Sequence, residues 1–165
     1  MLVIDHIEKP GPKIMHDRFT AVALVVITAA WFHGGARAQE PGRTVWDGVY
    51  SAAQAEIGMH RYTAPCGSCH GRALEGGHIF GSRTRTAPAL RGEAFLSRWT
   101  GHSVGDLFTE MSTYMPLDHP GSLSEEANAS ILAFLLRENG FPPGGNPLPS
   151  DMAAMKAIQI VGQQK

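Results

Sequence analysis

The five residues Cys66-Gly67-Ser68-Cys69-His70 contain both cysteines of this 165-residue chain, and no other feature constrains it as strongly. At Cys-x-x-Cys-His spacing, two thiols can each form a thioether with one haem while the adjacent imidazole reaches the iron. Covalent attachment and axial ligation then come from one turn of chain. The two cysteines alone say less, because dithiol redox pairs and zinc sites share their spacing. A redox pair normally follows a strand in a strand-helix alternation, which this sequence lacks. A four-ligand zinc site would need further ligands, and no further cysteines are available. A disulfide between residues this close would shut a very small loop and add little stability. None of these alternatives uses His70. The expected cofactor is therefore one covalent haem c, with Cys66 and Cys69 as its thioether links and His70 as an iron ligand.

Upstream, residues 19–32 form an apolar run of 14 after Arg18, short of the roughly 20 residues a spanning helix needs. Ala36-Arg37-Ala38 follows with the small-x-small pattern that a signal peptidase cuts. Residues 1–38 read as a secretory signal peptide and residues 39–165 as the mature domain. Met15 is an alternative start, since Met15-His16-Asp17-Arg18 makes an ordinary short opening to the same signal. Uncleaved, the segment would instead anchor the protein to the membrane. Export to the periplasm is expected either way, with no stable membrane span once the signal is removed. The whole chain carries 14 Lys+Arg against 15 Asp+Glu, and loss of the leader leaves 10 against 12. No basic excess is available to hold a phosphate backbone, so nucleic acid is not an expected partner.

The mature chain reads as helical, with no strand pattern and no internal repeat. Residues 51–62 favour a helix that leads directly into the cysteines and stops before Pro65. Residues 71–92 are glycine-rich with little apolar periodicity and predict a long loop that needs internal support. Two short helices follow, over 93–99 and 103–113. Ser103 and Asp106 stand near capping-box spacing at the start of the second, whose apolar stripe is Val104, Leu107, Phe108 and Met111. Ser124 is expected to cap a last major helix over 125–139, with acidic residues in its first turn and Gly140 after it. Residues 141–149 contain four prolines and two glycines and predict an extended arm. Ser150 or Asp151 then caps a short terminal helix through Ile158.

These residues together resemble the class I c-type cytochromes. Gly58 and Tyr62 stand eight and four residues before Cys66, as in that family's Gly-x-x-x-aromatic-x-x-x-Cys lead-in. Val45-Trp46-Asp47-Gly48-Val49-Tyr50 and Met115-Pro116, followed by Pro120-Gly121-Ser122-Leu123-Ser124, are similar to segments of small bacterial members. The likeness runs from about Val45 to Ile160. It implies an all-α cytochrome c fold, four to five short helices wrapped around one covalently bound haem, with Gly58 crossing closely against Ala133 and Phe134. It also implies that Met115 is the second axial ligand and that the carbonyl of Pro88 accepts from the ring of His70.

Met115 also suits ligation by its chemistry, since a soft thioether favours reduced iron and Pro116 holds the adjoining chain extended. Met111 is the competing thioether, with core filling as its other role. Trp99 either donates to a haem propionate or fills the core. Arg83, Arg85 and Arg91 either offset propionate charge or lie solvated in the loop. His60, His78, His102 and His119 read as surface or hydrogen-bonded residues, and His78 is the hardest of them to dismiss as a ligand. Asn128 stands where the family usually has an aromatic, a departure expected to affect packing more than ligation.

The functional expectation is a periplasmic electron-transfer protein carrying one electron on a His/Met-ligated haem, and not an enzyme. The alternatives are the haem subunit of a dehydrogenase complex, or a small-molecule-binding haem enzyme or sensor if Met115 is not a stable ligand. Expected partners are redox proteins such as a quinoprotein dehydrogenase and a terminal oxidase or other cytochrome. After cleavage only Lys156 and Lys165 remain of the lysines, so attraction to such partners should depend weakly on salt.

Overall fold

Short polar side chains set most of the helix starts. The structure is a computed structural model describing residues 42–79 and 81–162, together with Gly11; the expected signal peptide lies outside the described residues of the domain. Ser51 caps α1 (Ala52–Tyr62) by accepting from the Gln54 amide. Ser103 and Asp106 form a complete capping box on α4 (Val104–Tyr114), each side chain taking the other's backbone amide. Ser124 caps α5 (Glu125–Glu138) and Asp151 caps α6 (Met152–Lys156) in the same way. These bonds satisfy amides that the first helical turn leaves without partners. Two further helices are short: α2 (Gly67–His70) lies inside the cysteine motif itself, and α3 (Glu93–Trp99) precedes α4. The described residues are thus mostly helical.

Helices α1 and α5 form the central pair. A Cβ at Gly58 would run into the Ser130 carbonyl and the Phe134 side chain, so this crossing is closed to any residue but glycine. The expected neighbours were Ala133 and Phe134. Phe134 is one of the observed nearest contacts, while the backbone of Ser130 takes the other position. Around this pair the main core gathers Val45, Val49 and Tyr50 from the N-terminal segment, Val104 and Phe108 from α4, and Leu132 and Leu136 from α5. Removing such side chains from water contributes about 1.5–3 kcal/mol each.

The C-terminal segment closes this core. Tyr50 Oη donates to the Phe141 carbonyl at 2.6 Å, and Gln54 makes paired bonds to the backbone of Leu148. The arm over 141–149 is therefore fastened along the start of α1. Helix α6 stops at Lys156, short of the expected Ile158. The following residues instead bond to the start of the domain and to the start of α4: Val45 donates to Gln159, and Val104 to Ile158.

The segment 71–92 departs from a plain loop. Gly77–His78 (β1) and Thr86–Ala87 (β2) pair antiparallel, with Gly77 opposite Ala87 and His78 opposite Thr86. Strands of two residues are too short to leave an alternating pattern in sequence. Inside the loop, Leu74 is buried at φ 60, a conformation uncommon for a non-glycine residue. The Leu90 amide bonds to its carbonyl at 2.9 Å.

Candidate functional site

The cysteine motif is shaped by the end of α1. The Cys66 amide donates to the Tyr62 carbonyl, the His70 amide donates to the Cys66 carbonyl at 2.9 Å, and Gly71 ends the turn at positive φ. Tyr62 Oη donates to the Gly71 carbonyl at 2.8 Å, so one residue fastens both ends of the motif, the first through its backbone carbonyl and the second through its buried phenol. Burial pushes that phenol above its ordinary range, keeping it a neutral donor. One tight turn thus carries two unpaired thiols and an imidazole. Burial pushes the Cys66 thiol up to about 11, with the nearby Cys69 adding to the shift.

His70 is 8% exposed, and its Nδ1 lies 2.8 Å from the carbonyl oxygen of Pro88, the partner the resemblance implies. A carbonyl only accepts, so Nδ1 carries the proton and Nε2 keeps the free lone pair. Gly76 makes this contact possible. A side chain there would meet the backbone of Ala87, Pro88 and Ala89 at 2.8–3.0 Å, pushing the proline-bearing segment away from the ring.

Cys66, Cys69, His70, Pro88, Trp99 and Met115 all line one cavity of about 680 Å³. Its volume falls in the range of about 300–1,000 Å³ usual for ligand and cofactor sites. Much of the wall is apolar: Ile131 and Leu135 come from α5, Leu107 from α4 and Leu90 from the loop. Met115 sits half-buried where α4 stops, with extended backbone before Pro116. Met111 reaches the same cavity from within α4 while packing against both hydrophobic clusters. Trp99 packs in the core, one of its two expected roles, and also lines the cavity.

The structure divides the three loop arginines between the two roles open to them. Arg85 lines the cavity, whereas Arg83 and Arg91 do not; Arg91 bonds to the Ala73 carbonyl. Arg98 does line it, paired to Glu110 at 3.3 Å and lying 5.4 Å from the Trp99 ring centroid. Sequence reading missed Arg98, because its meeting with Glu110 depends on how α3 and α4 come together in space. Among the described histidines only His70 lines the cavity; His60, His78, His102 and His119 are exposed elsewhere.

Asn128, the polar departure near the start of α5, is buried, and it also forms part of the cavity wall, a position the sequence reading does not assign.

The donor set suits a haem: two thiols, one imidazole with its outer nitrogen already bonded, and thioether sulfur on the same mostly apolar cavity. Among the described residues, no group of three or more His, Cys, Asp or Glu is arranged to hold a metal ion directly. No helix among them is long and apolar enough to cross a membrane. No protein-family model, curated protein or solved structure matches the chain.

Proposed function

We propose that this protein is a monohaem c-type cytochrome that carries single electrons in the periplasm, its helices forming a cytochrome c fold. The observation that carries this reading is the convergence of the Cys66–His70 turn, the His70–Pro88 bond and Met115 on one cavity. A haem held there would supply a reversible one-electron change at iron. Cys66 and Cys69 would hold it through thioethers, and His70 Nε2 and the Met115 sulfur would hold its iron.

The Pro88 carbonyl orients the His70 ring, fixes its tautomer and makes Nε2 a better donor. Ile131, Leu135 and Leu90 keep water from the interior of the site. Trp99, Arg98 and Arg85 provide donors and positive charge along the wall and rim for anionic substituents of the bound group. Because an imidazole and a thioether would both be available to hold the group, this reading makes the chain a carrier and not an enzyme. Its partners are redox proteins, such as a quinoprotein dehydrogenase on the donating side and a terminal oxidase or another cytochrome on the accepting side.

The test is a pair of variants read by oxidised and reduced absorption spectra and a redox titration. Met115→Ala is expected to abolish the thioether-ligation band and lower the reduction potential, and Met111→Ala to leave both near wild type. The opposite pattern would move the ligand to Met111. Unchanged spectra in both variants would remove the His/Met assignment.

A further inference from the structure

We propose that Asn128 tunes the redox equilibrium of this site: its side-chain carbonyl presents the negative end of a buried amide dipole to the cavity and favours the oxidised state of the bound group. This rests on the haem reading above. Asn128 is 1% exposed, and its Nδ2 donates to the carbonyls of Leu123 at 3.3 Å and Ser124 at 3.2 Å. Turning the amide over would set Oδ1 against those same two carbonyl oxygens, so the partners fix its orientation. Oδ1 is then the amide atom left without a partner, in a residue that belongs to the cavity wall. It is the one buried side-chain nitrogen or oxygen among the described residues without a hydrogen-bond partner.

The surroundings leave this dipole unscreened. Ile131 and Leu135, three and seven residues further along α5, continue the same wall and are apolar. Asp118 and Arg85 also line the cavity but are exposed, where solvent weakens their fields. Arg98 is paired with Glu110 at 3.3 Å, and the opposite charges offset each other. A buried carbonyl in a low-dielectric wall acts more strongly on a nearby change of charge than such rim groups do. The oxidised form of the site carries one more positive charge than the reduced form, and the carbonyl oxygen favours it. A water molecule donating to Oδ1 would turn its own oxygen inward and preserve the sign.

The test uses the full exported, haem-loaded protein and compares wild type with Asn128→Leu by mediated redox titration, with mass and absorption spectra recorded on each sample. The variant is expected to shift the equilibrium toward the reduced form by about threefold or more, with the axial-ligand bands unchanged. Asn128→Ala only removes atoms and carries the same expected direction should the larger side chain prevent folding. A haem-bearing variant whose equilibrium is unmoved, or shifts toward oxidation, overturns the role of Asn128 and leaves the haem reading intact. A wild-type protein without covalent haem overturns both. A change in denaturation midpoint with no redox shift marks Asn128 as purely structural and likewise overturns the proposal.

Discussion

The two sides of helix α5 are built differently. On one side Leu132 and Leu136 enter a core that the protein fills by itself, where Val45, Tyr50, Val104, Met155, Ile158 and Ile160 are all fully buried. On the other, Asn128, Ile131 and Leu135 face a cavity of about 680 Å³ bounded by the cysteine turn, Pro88 and the end of α4. The same helix thus supports a closed packing and an open one. The closed side needs nothing beyond the chain. The open side has walls, donors and charge, and no side chain among the described residues fills it, which is how a site for a large apolar group differs from a core.

Substitutions at the junction and on each side separate these two kinds of support. The largest expected effect is at the α1–α5 crossing, where Gly58→Val puts side-chain atoms into the Ser130 backbone. It should cost several kcal/mol or prevent folding, with or without bound cofactor, as read by denaturant unfolding. Wild-type stability in this variant would mean that the helices do not cross here.

Next in size are truncations on opposite sides of α5. Leu132→Ala should cost about 2–5 kcal/mol in both cofactor-loaded and cofactor-free protein. Ile131→Ala should cost clearly more in the loaded protein than in the free one, because its cavity-side contacts exist only when the site is filled. Equal costs in both forms would erase the distinction between the two sides.

The smallest effect concerns the α4 cap. Ser103→Ala should cost about 1 kcal/mol and alter the acid limb of stability. The side-chain and backbone bonds to Ser103 hold the Asp106 carboxyl below its ordinary value. A depressed folded-state value contributes stability above the unfolded-state value of about 3.9, lost as pH falls through the folded-state value. The wild type should therefore lose slightly more stability than the variant as pH drops below about 4. Parallel pH profiles for the two proteins would show that the cap contributes no pH dependence.

The closed side was largely legible in the sequence because its signals are local. Ser51, Ser103, Ser124 and Asp151 announce helix starts through bonds made within three residues. The Cys66–His70 turn was legible for the same reason. The rest depends on approach in space. The β1–β2 pairing is too short to show an alternation, and α6 ends early because the chain after it bonds to the domain start. Arg98 becomes a wall residue only when α3 meets α4. Asn128 reads in sequence as a loss of apolar packing; that its Nδ2 is tied to two carbonyls and its Oδ1 left over depends on the fold around it. Distinguishing Met115 from Met111 is likewise a matter of chemistry at the cavity, since both methionines line it.

The most direct measurement is the intact mass and visible spectrum of the protein exported from a cell with working haem-attachment machinery, followed by peptide mapping. The expected result is a coloured protein whose mass exceeds that of its processed chain by one haem, with the added mass confined to the peptide containing Cys66 and Cys69. A colourless product with the mass of the polypeptide alone would contradict the account.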